Sequence, residues 1–206
     1  MKKNIQKYMV LALLIVIAAC GGIGIGSLAQ GSGGREAGRA GEKAAGRDGK
    51  APAEAEMPGF VEEGQSYAFL EFKRGKEPVL LVTDGTYGYN GLEASFSSEV
   101  YGKDGEGNWQ RMAVIAGSGT AYPLRYDKRG IYVTGAHYAV YYTVDWERMQ
   151  LAAEEYASES IDESGKASYV YAERGEAEQA AEDNRHLIAL FDRYEKALLV
   201  DFQKKE

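Results

Sequence analysis

The residues in this chain that could do chemistry are few and scattered. It has two histidines, His137 and His186, and one cysteine, Cys20. His137 stands in a turn over residues 135–138, and an imidazole there could act as a general base or a ligand. No Cys, Asp or Glu flanks it at metal-ligand spacing, so the plain reading is a turn histidine that is exposed or bonded to backbone. Ser118 lies between Gly117 and Gly119 but lacks the G-x-S-x-G frame of a nucleophile elbow, which makes it a loop serine. The run Asp84-Gly85-Thr86-Tyr87-Gly88-Tyr89-Asn90-Gly91 offers hard oxygen donors for calcium. It lacks the closing bidentate glutamate and the repeated Asp spacing, and is read as a mobile loop between strands. Paired acids such as Glu154-Glu155 and Asp162-Glu163 would serve hydrolysis only if two of them faced one cleft. Adjacency in sequence does not establish that. These residue types predict no catalytic set, no metal and no cofactor.

The aromatic residues offer more. The chain has 15 tyrosines and two tryptophans, Trp109 and Trp146. Tyr132 and Tyr141 fall on the opposite phase to Ile131, Val133, Val140 and Val144, which predicts that both rings face solvent. Exposed tyrosine gives area, stacking and a hydroxyl at little entropic cost, as protein or glycan recognition requires. Tyrosine is also a good strand residue. Tyr132, Tyr141 and His137 are therefore the candidate ligand-binding residues.

Strands must position them. Leu92, Ala94, Phe96, Ser98 and Val100 alternate with Glu93, Ser95, Ser97, Glu99 and Tyr101, giving one core face and one wet face. Residues 138–147 alternate in the same way. Further strands are expected over 66–72, 79–83, 110–116, 121–126, 130–134, 151–158 and 167–172. Asp104-Gly105, Asp127-Lys128-Arg129-Gly130, Gly135-Ala136 and Glu163-Ser164-Gly165 supply the turns. From about residue 176 to 196 the period changes: Ala180, Leu187, Leu190, Phe191 and Tyr194 share one helical face. Residues 198–202 alternate again and predict a short terminal strand. The expected fold is mainly β, an antiparallel meander forming a curled sheet or partial barrel, with one C-terminal helix and a short terminal strand.

Composition bounds the partners. Residues 21–59 are Gly, Ala and balanced charge, with almost no large apolar side chain. Such a stretch cannot bury enough surface to fold, and as a flexible spacer its reach would be on the order of 35 Å. With Lys2, Lys3 and Lys7 removed, 21 basic side chains face 31 acidic ones, a net charge of −10. That balance argues against nucleic acid and against a basic membrane-hugging face. With no cysteine besides Cys20, the domain forms no internal disulfide.

The N-terminus carries the most specific pattern. Lys2, Lys3 and Lys7 precede an apolar-rich run over residues 8–19, which closes on Ile17-Ala18-Ala19-Cys20. Positive, apolar, then small residues is the layout of an export signal. Three other readings stand beside the one drawn below: a secretory signal cut after Ser27-Leu28-Ala29; an uncleaved membrane helix over residues 9–28, which glycines 21, 22, 24 and 26 weaken; and an ordinary apolar-segment cysteine at Cys20. The segment resembles the lipobox of bacterial lipoproteins. That resemblance implies diacylglycerol on the Cys20 sulfur, cleavage just before it, and a mature chain beginning at Cys20. The stretches Pro78-Val79-Leu80-Leu81-Val82-Thr83-Asp84-Gly85-Thr86-Tyr87, Gly119-Thr120-Ala121-Tyr122-Pro123 and Gly130-Ile131-Tyr132-Val133-Thr134-Gly135-Ala136-His137 resemble a recurrent, uncharacterised type of lipoprotein domain in Gram-positive bacteria. That resemblance brings neither activity nor functional residues. The expected organisation is a lipoprotein signal peptide over 1–19, a lipidated N-terminus and tether over 20–59, and an extracytoplasmic β-rich domain over 60–206. The expected function is a non-enzymatic binding or accessory module at the cell envelope, anchored by lipid and facing outside the cytoplasm, with an envelope protein or glycan as partner. The alternative is a carboxylate-dependent envelope hydrolase.

Overall fold

The structure is a computed structural model and describes residues 57–73, 77–174 and 176–206. Cys20, the apolar N-terminal run and the tether as far as residue 56 lie outside the described residues. The alternating segments form strands, and their turns fix the pairing. β1 (Ser66–Leu70), β2 (Val79–Thr83), β5 (Ser97–Lys103), β6 (Trp109–Ala116) and β14 (Gln203–Lys204) make a five-stranded sheet in the order β14-β1-β2-β5-β6. β3 (Thr86–Tyr89) and β4 (Leu92–Ser95) form a separate hairpin. β7 (Arg125–Tyr126), β8 (Ile131–Gly135), β9 (Tyr138–Asp145), β10 (Gln150–Ile161), β11 (Ala167–Glu173), β12 (Gln179–Ala181) and β13 (Leu198–Leu199) make a seven-stranded sheet in the order β12-β11-β10-β9-β8-β7-β13. Every described pairing is antiparallel. The helix α1 (Arg185–Lys196) joins β12 to β13.

Inward-facing side chains of both sheets meet in one core: Leu70, Val79, Leu81 and Val100 from one, Ile131 and Val133 from the other, with Val200 and Phe202 between. The arrangement is a β-sandwich of two open sheets, one form of the expected curled architecture. Both sheets are also covered on their outer faces. In β2 and β8 all five residues are buried, because each strand contributes to two clusters. Leu80 and Val82 of β2 pack outward with Val61 under Met57, Tyr67, Phe69, Tyr101 and Trp109. Tyr132 of β8 packs outward with Ala139, Tyr141 and Ala157 under Leu187, Leu190 and Tyr194 of α1. Met57 already packs on the domain, three residues before the expected boundary at 60.

Four local expectations are corrected. Residues 84–91 are not a mobile loop: β3 runs through them and turns at Asn90 (φ 51°) and Gly91 (φ 82°), the Asn-Gly pair that a tight hairpin favours. The strand expected over 92–101 breaks at Phe96, which leaves Leu92 and Phe96 exposed rather than in the core. The helix begins at Arg185, not 176, since Gln179–Ala181 pairs with β11 instead. Of residues 121–126, only Arg125–Tyr126 is strand.

The C-terminal segment ties the two sheets together. Leu198 and Leu199 pair with Tyr126 and Arg125, while Gln203 and Lys204 pair with Tyr67 and Ser66. Between them the Val200 amide donates to the Leu124 carbonyl and the Phe202 amide to that of Glu93. The terminal strand is therefore divided between two sheets.

Candidate functional site

The two tyrosines singled out above are neighbours but not exposed. Tyr132 and Tyr141 face each other directly across β8 and β9, their ring centroids 4.5 Å apart. Their phase is indeed opposite to Ile131 and Val133, but α1 covers that face, and each ring is 1% exposed. The expectation of solvent-facing rings is corrected, because alternation separates two faces without saying which is wet.

Both hydroxyls converge on Asp127 in the β7–β8 turn. Tyr132 donates to Oδ2 at 3.0 Å and Tyr141 to Oδ1 at 2.9 Å. The turn itself is closed by the Arg129 and Gly130 amides, which also donate to Oδ1. Burial pushes the Asp127 carboxyl up, and these four hydrogen bonds outweigh it, holding the group below its ordinary value. Burial and the Asp127 charge together raise both phenols. At neutral pH the set is one carboxylate and two protonated phenols, with neither a free base nor a nucleophile.

From above, Arg193 of α1 closes the cluster. Its guanidinium lies 5.9 Å from the Tyr132 ring centre and 5.3 Å from that of Tyr141. Two 2.8 Å hydrogen bonds run from it to the Glu155 carboxylate, the forked geometry that suits Arg. Burial disfavours the Arg193 charge, and Glu155 more than offsets that. At the helix end, Arg125 donates to the Glu195 and Ala197 carbonyls at 3.1 and 3.0 Å, satisfying acceptors that a helix terminus leaves open. Chemically the cluster is a fastener that holds α1 on the sheet.

His137 lies elsewhere. It occupies the two-residue β8–β9 turn, four rungs from the tyrosine pair, roughly 14 Å along the strands at ~3.4 Å per residue. Its side chain is 58% exposed, with Nδ1 3.3 Å from the Glu159 carboxylate, and its carbonyl accepts the Glu159 amide. The three expected ligand-binding residues therefore do not form one site. His186 stacks flat on Tyr171, centroids 3.9 Å apart. Ser118 lies against the Gly135–Tyr138 turn, near enough to contact a Cβ placed on Gly135.

What sequence reasoning missed is a hollow on the outer face of the seven-stranded sheet, lined by Glu154, Glu155, Glu173, Glu176 and Arg174. The register between β9 and β10 shifts across Ala153 and Glu155, a bulge that places one extra residue there. Glu154 is partnered by Thr143 at 3.3 Å and Arg174 at 3.4 Å. Arg174 also reaches Asp145 at 3.5 Å. The hollow is open, and charged groups line it where small-molecule sites are mostly apolar. No group of His, Cys, Asp and Glu among the described residues could hold a metal ion. Comparison with protein-family models, with curated proteins and with solved structures gives no match.

Proposed function

We propose that the protein is an extracytoplasmic lipoprotein, anchored through lipid on Cys20, whose β-sandwich is a non-enzymatic binding or accessory module at the cell envelope. The observation that carries this is the order of Lys2, Lys3 and Lys7, an apolar run, and Ile17-Ala18-Ala19-Cys20, ending on the sole cysteine. A single acyl chain holds a protein to a bilayer only marginally, whereas two chains anchor it stably. Supporting the binding role, the tyrosine–aspartate cluster has its polar groups engaged internally, so recognition falls to the outer surface. The partner is an envelope protein or glycan, met by an acidic domain.

The second reading, carboxylate-dependent hydrolysis, is favoured by one observation: four glutamates share the hollow. Against it, Glu155 is clamped by Arg193 and Glu154 by Arg174.

Cys20→Ser tests the anchor. The wild-type protein should partition into detergent and the variant should be released or remain unprocessed. A variant that stays in the membrane at wild-type mobility would refute lipidation and favour an uncleaved helix.

A further inference from the structure

The outer face of the five-stranded sheet carries a group of half-buried aromatic rings. Tyr67 and Phe69 of β1, Tyr101 of β5 and Trp109 of β6 stand on it, over Leu80 and Val82. Their rings form two groups: Tyr67 to Phe69 at 5.9 Å and Phe69 to Trp109 at 6.3 Å in one, and Phe60 to Tyr101 at 4.6 Å in the other. At its margin two large apolar residues point to solvent, Phe60 at 42% and Val114 at 58% exposure. Val114 belongs to this face because it pairs with Glu99, two residues from Tyr101 on the same strand.

Two ion pairs lie on this face, with the Asp84 carboxylate near Glu99 beside them. Lys103 approaches Glu77 at 4.0 Å, and Arg111 meets Glu99 at 2.6 Å. Lys103 also lies 5.2 Å from the Trp109 ring centre. Aromatic rings with a polar tip, exposed apolar residues and neutral ion pairs suit a layer that is apolar on one side and wet on the other.

The chain supplies the reason for a lipid occupant. The described chain enters the domain on this same face, through Met57 and Val61, and the residues before Met57 lead back to Cys20. We propose that this aromatic face rests on a neutral, zwitterionic lipid surface beside the anchor. The inference rests on the lipid-anchor reading. On that reading the anchor keeps the domain beside the bilayer and raises the local concentration of lipid surface, so a face with only weak intrinsic lipid affinity docks for much of the time. The acidic balance of the domain directs it to neutral rather than anionic headgroups.

The test uses the full lipid-modified protein reconstituted into phosphatidylcholine vesicles, with and without bromine on the acyl chains. Bromine quenches tryptophan only at close range. Trp109 stands on this face, while Trp146 packs against the inner core. Docking predicts quenching of roughly half the emission in floated vesicles, loss of that quenching in Trp109→Phe, and a several-fold reduction in Phe60→Ser/Val114→Ser. Phe60→Ser gives up the ring contact with Tyr101 while Val114 is largely exposed, so the double variant should still melt cooperatively, with Tm lowered by no more than a few degrees. Protein that floats with the vesicles but shows no quenching overturns the docking and leaves the anchor standing. Quenching that survives in Trp109→Phe assigns the contact to another face and also overturns it. Protein that does not float refutes the anchor, and the docking with it.

Discussion

Asp127→Ala isolates what the buried cluster contributes. The substitution removes the acceptor for two tyrosine hydroxyls and two backbone amides. The Arg129 amide is exposed and can turn to water, the Gly130 amide is part-buried, and the hydroxyls belong to rings that are 1% exposed. A buried donor left unpaired costs ~1–3 kcal/mol, so two of them cost about 2–6 kcal/mol, a large part of a typical domain stability of ~5–15 kcal/mol. For a domain of this size each kcal/mol is worth ~2–4 °C in Tm, which predicts a fall on the order of 10 °C, read by circular dichroism. The triple variant Asp127→Ala/Tyr132→Phe/Tyr141→Phe removes donors and acceptor together, which is far less costly than orphaning one side. It should therefore be more stable than Asp127→Ala alone, and that reversal is the decisive reading. A loss under ~1 kcal/mol for the single variant, or a triple variant less stable than the single, would refute the reasoning. The pH dependence has a fixed sign. Because the folded-state value of Asp127 is depressed, its contribution is fully present above the unfolded value near ~3.9 and lost as pH falls through the folded one. The stability gap to Asp127→Asn should narrow below about pH 4.

Two further outcomes follow from packing. Gly130→Ala should abolish cooperative folding or lower Tm by more than ten degrees, since a Cβ there would sit 2.0 Å from the Tyr142 carbonyl oxygen, whereas Gly105→Ala, with nothing within 4 Å, should leave Tm unchanged; thermal melts of the pair check both. A chain beginning at Met57 should melt like the mature protein. One beginning at Gln65 loses Val61, which is 1% exposed, and should be less stable by ~2–3 kcal/mol in urea titration.

Strand content and sheet class were legible because alternation survives wherever one face is wet and one dry. Residues 79–83 are apolar at four of five positions, and the strand there was read with its bounds correct. Less was legible where a second layer covers a sheet. Tyr132 and Tyr141 lie on the predicted face, yet α1 makes that face a core, and the pattern of β8 and β9 alone does not say that a helix will return over them. Ser98 is buried as its phase predicts, but Ser95, expected on the wet face, is buried too, joined to Ser98 by a side-chain hydrogen bond at 2.9 Å. Asn90-Gly91 is a recognised hairpin signal, which the reading of residues 84–91 as a mobile loop between strands passes over. The glutamate hollow was not legible, because it depends on a bulge and on residues about twenty apart meeting across β10 and β11.

The divided C-terminal strand has a kinetic consequence. Ser66 pairs with Lys204, and Val200 and Phe202 complete the core between the sheets, so closure of the sandwich joins the two ends of the domain sequence. Contacts of such long separation make for slow folding, since the loop must be closed before the pairing rewards it. The domain therefore stays incomplete until its last residues are in hand, whatever the order in which the earlier strands assemble. The same residues that seal the folded state thus also set the pace at which it forms.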